Sequence, residues 1–440
     1  MIKQTCRLTI SVFFISFMLT AKAAAEEQIT LEIKPAGEKY LYELGDTVFF
    51  NITVKNLKAK KNQARLYYRL SRDEAVTLKE GFLEIADGKT ELKGFLEMPG
   101  FLRCDLSLTA GSDTLTEACG CGFAVEAIRP TGRLPQDYKR FWYQAKIELL
   151  RIPVDAKIEE VEVVHPGDSH RYKVSLAHSD GSRVYGWLHL PRGDGPFPTV
   201  LSIPGSGVGR SGRFAKFTEA GFAVFAMEIH GLEPSVEVVG SVSGVVEPDS
   251  TILFFRELQN GLLANYHQIG KEDAYHYYHR RSVQAAIRAL DFLKARKDVD
   301  TTRIAVYGGS QGGGLGIMLA AVDKRVKALV ASVPGFCDHT AYLYGRAGNG
   351  RGRLSGGGNM NKAILALSYY DAALAAGLVE VPVCIGVGFE DNLCHPTKVY
   401  SAFNNLKGSK RIDHFYTRGH ASPPEWRGMI IEWLKEQFDI

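Results

Sequence analysis

Ser310 stands in Gly308-Gly309-Ser310-Gln311-Gly312, after the β-rich run Ile304 to Tyr307 and before an apolar stretch from about Gly314 to Val322. A serine on a sharp strand-to-helix turn has its hydroxyl pushed out of the sheet as a nucleophile, and the residues two before and two after it must be small. Here both are glycine. The N–H of Gln311 then opens the following helix, where the first donors lack intrahelical acceptors and the dipole end is positive, a setting that suits a developing oxyanion. The chemistry implied is acyl transfer through a covalent intermediate. It requires a base for the hydroxyl and an acid to orient that base.

In α/β-hydrolases these groups follow in the order Ser, Asp or Glu, His, the last two on loops after sheet strands. Downstream of Ser310, the run Val383-Cys-Ile-Gly-Val-Gly leads into Phe389-Glu390-Asp391-Asn392, and a strand ending at Tyr416 leads into Thr417-Arg418-Gly419-His420. Asp391 and His420 are therefore read as acid and base. Glu390 is the rival acid; position 391 is preferred because it opens the Asp-Asn-Leu-Cys-His-Pro segment that starts the next helix. His414 lies inside the last strand and His395 at a helix start, so both read as structural or solvent-facing. Tyr275-His-Tyr-Tyr-His279 reads as packing and surface, and no residue set reads as a metal site.

These residues need a sheet to hold them. Strand candidates at Thr199 to Ile203, Ala223 to Met227, Ile304 to Tyr307, Ala328 to Val333, Val381 to Val387 and Ile412 to Tyr416 alternate with helical stretches, notably Arg281 to Lys294, Thr397 to Leu406 and Pro424 to Gln437. Strands near Tyr172 and Val184 precede them. The pattern predicts an α/β fold, a doubly wound and mostly parallel sheet of the α/β-hydrolase kind. Upstream, Leu31 to Lys34, Thr47 to Val54, Arg65 to Leu70, Lys93 to Glu97, Cys104 to Leu108 and Gly122 to Val125 read as short alternating strands without a helical pattern, a small all-β immunoglobulin-like sandwich. Arg129-Pro-Thr-Gly-Arg-Leu-Pro135 is a natural linker. The domains are thus expected at 26–127 and 128–440. Because each proposed catalytic group lies beyond the linker, the sandwich is expected to be dispensable for hydrolysis of a small activated acetate. The Gly/Arg-rich stretch Gly345 to Gly358 lacks the ending of a phosphate loop and is expected to be a surface loop or lid.

The chain begins with Lys3 and Arg7, then an apolar stretch from Leu8 to Leu19, then Ala21-Lys-Ala-Ala-Ala25, the layout of a cleavable secretory signal over residues 1–25 and too short to span a membrane. Export to the periplasm or medium is expected. Losing those residues removes Lys3, Arg7, Lys22 and no acid, so a formal charge of +4 falls to +1, which gives no reason to expect a nucleic-acid partner. With 45% hydrophobic and 23% charged residues, the 440-residue chain has a globular composition. Cys104 and either Cys119 or Cys121 flank a predicted hairpin and could form a disulfide; buried free thiols are the other reading. Cys119-Gly-Cys121 alone is a weak metal signal.

Several blocks carry a more specific resemblance. Asp273-Ala-Tyr-His-Tyr-Tyr, Val299-Asp-Thr-Thr-Arg-Ile-Ala-Val, the Gly308 to Gly314 run, Asp323-Lys-Arg-Val-Lys-Ala, Val333-Pro-Gly-Phe-Cys-Asp338, Leu367-Ser-Tyr-Tyr-Asp371, Asp391-Asn-Leu-Cys-His-Pro396 and Gly419-His420 together resemble the acetyl xylan esterase and cephalosporin C deacetylase family, carbohydrate esterase family seven. The resemblance runs from about residue 130 to the end. It implies a Ser310, Asp391, His420 triad that removes acetyl groups from sugars, an acetylated oligo- or polysaccharide as substrate, no cofactor or metal, and a possible homo-oligomer. Two positions depart from the family pattern. His230-Gly231-Leu232 stands where an Arg-Gly-Gln motif usually follows the second core strand, and Pro204-Gly205-Ser206 replaces His-Gly-Tyr in the oxyanion loop. The backbone N–H of Ser206 can still join that of Gln311 in an oxyanion hole, since the hole needs the amide. The other readings are a peptidase or general esterase on the same fold, and a noncatalytic carbohydrate-binding protein on a degenerate hydrolase fold.

Overall fold

The computed structural model describes residues 28–57, 64–161, 170–208, 214–233, 249–346 and 352–440. The expected signal segment lies outside the described residues. The chain first builds two small sheets from β1 (Thr30–Pro35), β2 (Leu41–Tyr42), β3 (Val48–Lys55), β4 (Ala64–Arg72), β5 (Val76–Leu83), β6 (Lys89–Gly94), β7 (Gly100–Ala110) and β8 (Asp113–Phe123). One sheet has the order β1-β3-β6 and the other β2-β8-β7-β4-β5. In β3 the residues alternate buried and outward, so Val48, Phe50, Ile52 and Val54 enter the shared core. The sequence reading missed β5, because this edge strand is exposed along most of its length and carries no buried alternation. It also placed β6 too late: pairing with β3 runs from Lys89 to Gly94, and Phe95 lies outside, exposed.

The Cys-Gly-Cys-Gly-Phe run of β8 has a packing explanation. Cys119 pairs with Cys104 and Cys121 with Leu102 across the β7–β8 ladder, and all four side chains are buried. The described cysteines are free, so the disulfide alternative gives way to small buried thiols filling the sandwich core. Gly120 and Gly122, which alternate with the cysteines, point to the opposite face. A Cβ on Gly120 would lie 2.2 Å from the carbonyl oxygen of Phe389, so only glycine lets the two backbones meet there.

The second layer system begins with α1 (Tyr138–Leu150) and continues through β9 (Lys157–Val161), β10 (Arg171–Ala177), β11 (Arg183–His189), β12 (Phe197–Ile203), α2 (Ala215–Glu219), β13 (Ala223–Met227), α3 (Asp249–Asn260), α4 (Tyr278–Lys294), β14 (Val299–Gly309), α5 (Gln311–Val322), β15 (Ala328–Ser332), α6 (Met360–Ser368), α7 (Ala372–Ala375), β16 (Val383–Gly388), α8 (Pro396–Asn405), β17 (Lys410–Phe415) and α9 (Trp426–Phe438). Among the described residues the strands form one nine-stranded sheet in the order β17-β16-β15-β14-β12-β13-β11-β10-β9. Pairing is parallel from β13 through β17 and antiparallel from β13 through β11 and β10 to β9. β13, β15 and β16 are buried at every position, as expected of parallel strands covered on both faces. This is the α/β-hydrolase fold expected, preceded by a small β region. Among the described residues, no helix is long and apolar enough to cross a membrane.

The β region is not a loosely tethered neighbour. The face of β7 and β8 opposite the sandwich core packs on the segment that follows β16. Phe389 meets Phe101 edge to face at 5.1 Å, Tyr40 stacks on Tyr416 at 4.4 Å, and Arg103 Nη1 donates to the Glu390 carbonyl at 3.0 Å. The buried Asp73 carboxylate accepts from the Phe101 N–H at 2.8 Å and from the Thr397 hydroxyl at the start of α8. Asn404 Nδ2 donates to the carbonyls of Val125 and Ile128 at 2.7 and 2.9 Å. One continuous apolar core joins the two parts. These contacts seat the β region directly behind the segments that carry Asp391 and His420.

The interface at Gly120 makes a direct prediction. Gly120→Ala forces backbone against backbone and should cost about 1–3 kcal/mol of stability, as overpacking does, read as a lower midpoint in urea unfolding. Gly428→Ala, where an added Cβ meets nothing within 4 Å in α9, is the control and should be neutral or slightly stabilising. Equal midpoints for the two variants would contradict a tight contact at Phe389.

Candidate active site

At the end of β14 the backbone reverses through Ser310, whose φ of 52° and ψ of −120° lie far from both helix and strand. Non-glycine residues pay for such a conformation, by roughly 1–3 kcal/mol, only where the surroundings enforce it. The Ser310 N–H donates to the Ser332 carbonyl at 2.8 Å, and the Ser310 carbonyl accepts from Gly335 N–H at 2.7 Å and Gly314 N–H at 3.2 Å. The flanking glycines are obligatory. A Cβ on Gly308 would fall 2.3 Å from the Gly312 carbonyl carbon, and one on Gly312 would fall 2.2 Å from the Ile203 carbonyl oxygen. Helix α5 can therefore sit directly against the ends of β14 and β12. The loop after β15 that supplies Gly335 is itself fixed by the buried Asp371 carboxylate, which accepts from the N–H groups of Asp338 and His339 at 2.9 and 2.7 Å.

The loops after β16 and β17 bring the other two residues to this turn. Phe389 N–H donates to the Phe415 carbonyl at 3.1 Å and Glu390 N–H to the Arg418 carbonyl at 3.0 Å. At Gly388 a Cβ would lie 2.3 Å from the Gly419 carbonyl oxygen, so the loops touch through their backbones. His420 Nε2 is 2.9 Å from Ser310 Oγ, and His420 Nδ1 is 2.8 Å from Asp391 Oδ2. Asp391 is buried, and its Oδ1 accepts from the N–H groups of Leu393 and Cys394 at 2.8 and 2.9 Å. The structure thus brings together Ser310, His420 and Asp391. Its hydrogen bond to Asp391, followed by that to Cys394, raises the His420 pKa, against an opposing push from burial. Burial pushes the Glu390 carboxyl up to about 7, against the charge of Arg103.

On the other side of the serine, the loop after β12 runs beside the turn. Gln311 is buried, and its side chain bridges this loop to the rest of the site: its Oε1 accepts from Tyr266 hydroxyl at 2.8 Å and from Ser206 Oγ at 3.4 Å. His230 holds the same loop. Its Nε2 lies 3.0 Å from the Gly207 carbonyl, which can only accept, so Nε2 carries the proton and Nδ1 accepts from Tyr278 hydroxyl at 2.7 Å. Burial first, and then Arg281, lower the His230 pKa to about 4, keeping the ring neutral and that pattern intact. The departure to His-Gly-Leu is therefore occupied by a specific hydrogen-bonding group. The sequence reading had no signal for Tyr266, which lies outside the strand and helix patterns, and saw only the absence of arginine and glutamine at 230–232.

The remaining candidates are structural. His414 is bracketed by the hydroxyls of Tyr400 at 2.8 Å and Tyr416 at 3.2 Å, and buried His395 faces Glu74 at 3.5 Å. In the Tyr275 to His279 cluster, Tyr277 and His279 are buried while Tyr275 and His276 are exposed. Residues 347–351 of the expected lid lie outside the described residues. Beyond them, Arg353 places its guanidinium 3.6 Å from the centre of the Phe336 ring, and Leu354 is buried.

Comparison with known proteins bears on the family. The chain is 28% identical over 449 aligned positions to acetyl esterase Axe7A of Xylanibacter ruminicola, covering 99% of this chain and 98% of that protein. Among solved structures, an acetyl xylan esterase from Paenibacillus sp. R4 superposes with a TM-score of 0.56 at 24% identity, and acetyl xylan esterase 1 from Thermoanaerobacterium sp. JW/SL YS485 with 0.57 at 22%. Each match covers 71% of this chain and 98% of the other, so these two show the fold and leave more than a quarter of this chain without a counterpart. The prolyl oligopeptidase family model matches residues 265–438. The acetyl xylan esterase (AXE1) family model matches residues 124–349, just over half of the chain, a span that includes the turn at Ser310 and the loop after β12, and the chain belongs to that family.

Proposed function

We propose that this protein is an exported serine esterase that removes O-acetyl groups from carbohydrates through an acyl-enzyme intermediate. The observation that carries the reading is the unbroken row from Ser310 through His420 to Asp391, with separations of 2.9 and 2.8 Å. Membership of the acetyl xylan esterase family and the name of the full-length relative support acetyl as the acyl group. The basic and apolar N-terminal 25 residues support export.

In this mechanism His420 Nε2 accepts the Ser310 proton as Oγ attacks the ester carbonyl. Asp391 holds the ring with its proton on Nδ1 and stabilises the imidazolium that forms. The developing oxyanion is held by the N–H of Gln311, at the start of α5, and by the N–H of Ser206 on the loop braced by Gln311 and His230. His420 then protonates the sugar oxygen as it leaves. Water attacks the acetyl-enzyme with the same imidazole as base, releasing acetate and restoring Ser310.

Ser310→Ala should lower kcat for a soluble acetate ester by on the order of 10⁴-fold or more while leaving the unfolding midpoint near that of the parent. Asp391→Asn should cost on the order of 10³–10⁴-fold, with Glu390→Gln far milder. The reverse ranking of the two acid variants would show that the orienting carboxylate has been misassigned.

Only the neutral imidazole accepts a proton, so kcat/KM should rise with pH through the His420 pKa and stay high above it. Because the Asp391 hydrogen bond raises that pKa, the acid limb should lie above the ordinary histidine value of about 6.5. A pH–rate profile with an inflection well below that value would contradict the charged pairing.

The substrate reading is tested by acetate release from several acetylated polysaccharides and by esters that share one leaving group. Acetyl esters should have a higher kcat/KM than butyryl or longer ones. The match to the prolyl oligopeptidase family model favours a peptidase as the second reading. Cleavage of peptide amides faster than acetyl esters would establish it, and a preference for octanoyl esters would point to a lipase-like enzyme.

A further inference from the structure

The base and its acid have a third neighbour that the reaction above does not use. Cys394 lies three residues after Asp391 in the same loop, and its Sγ, a carboxylate oxygen of Asp391 and a ring nitrogen of His420 all lie within 4.8 Å of one another. Thiolate, imidazole and carboxylate are the donors that Zn²⁺ takes, at about 2.3, 2.0–2.1 and 2.0–2.2 Å, which places tetrahedral ligand atoms roughly 3–4 Å apart. Small side-chain movements therefore suffice to close the set. The carboxylate is already oriented for it: Oδ1 is fixed by the two backbone N–H groups of Leu393 and Cys394, and Oδ2 faces the imidazole. An entry path exists as well, because the His420 side chain is 24% exposed and Cys394 is partly exposed.

We propose that Asp391, Cys394 and His420 form an inhibitory site for a thiophilic divalent cation, with Zn²⁺ held by Asp391 Oδ2, Cys394 Sγ and His420 Nδ1 and a water in the fourth position. Binding requires the thiol to give up its proton to solvent. It also displaces the proton on Nδ1, and the neutral ring then carries its one proton on Nε2. One proton is released in all. An imidazole protonated at Nε2 cannot accept the proton of Ser310, so hydrolysis stops while the metal is bound and resumes when a chelator removes it. The ligand set follows from the geometry alone; inhibition rests on His420 serving as the base.

The test uses the full-length protein, ZnCl₂ as the probe and two readouts on the same samples: bound zinc by equilibrium dialysis and the rate of acetate ester hydrolysis. The parent protein should bind one equivalent that is absent from Cys394→Ala, and bound zinc should track lost activity, reversed by EDTA. Each variant is compared with its own zinc-free rate. The zinc concentration for half inhibition should rise at least ~10-fold in Cys394→Ala, since losing even an outer partner of a metal ligand costs that much. Cys394→Ser, which keeps the size of the side chain and removes the soft ligand, should behave the same way. Equal zinc sensitivity in the parent and both variants would overturn the site. Zinc bound through Cys394 with hydrolysis unchanged would overturn its inhibitory action.

Discussion

One backbone conformation, unfavourable in isolation, governs the site. Ser310 is held at positive φ by a donor from its own N–H to Ser332 and by two N–H groups on its carbonyl, and the turn closes because Gly308 and Gly312 let α5 approach the ends of β14 and β12. Three backbone hydrogen bonds, each worth about 0.5–1.5 kcal/mol net, are enough to offset strain of roughly 1–3 kcal/mol. The loop after β15 and its anchor, Asp371, exist in this account to supply one of those bonds. The same turn sets the start of α5, so the Ser310 side chain and the Gln311 N–H are positioned by a single constraint.

The loops that carry Asp391 and His420 are positioned differently, by contact between two parts of the chain. Their backbones interlock through Gly388 and Gly419, and behind them the β region presses on Phe389, Glu390, Thr397 and Tyr416. Phe389, Glu390 and Thr397 flank Asp391 on both sides in sequence, and Tyr416 lies four residues before His420. A β region packed behind these loops can thus still fix the distance between Asp391 and His420. Alignment with the acetyl esterase relative extends over nearly the whole chain, β region included.

Much of this was legible in the sequence because it rests on local rules. The glycines around Ser310 announce a turn that only small neighbours permit, and the burial of β13, β15 and β16 follows from their continuous apolar runs. The sequence order of Ser310, Asp391 and His420 corresponds to their meeting at one end of the sheet. What was not legible depends on contacts between distant segments. Nothing local to Gly120 says that Phe389 lies behind it, and the Cys-Gly-Cys run left a disulfide to Cys104 and buried free thiols both open, because its alternation onto two faces shows only in the folded sheet. Strand β5 escaped because its exposed edge lacks the alternation that marks a half-buried strand. His230 was read as a loss, since its hydrogen bonds to Gly207 and Tyr278 join residues 23 and 48 positions away.

The central claim is that Ser310 becomes covalently acetylated during turnover, and rapid acid quenching followed by peptide mass spectrometry observes this directly. With an activated acetate ester in excess, the account predicts that the peptide containing Ser310 gains the mass of one acetyl group within the first turnover, that the modification sits on Ser310 itself, and that it decays as substrate is exhausted. Turnover with no acetyl on Ser310 under conditions where deacylation is the slower step, or a transient acetyl on another residue, would contradict it.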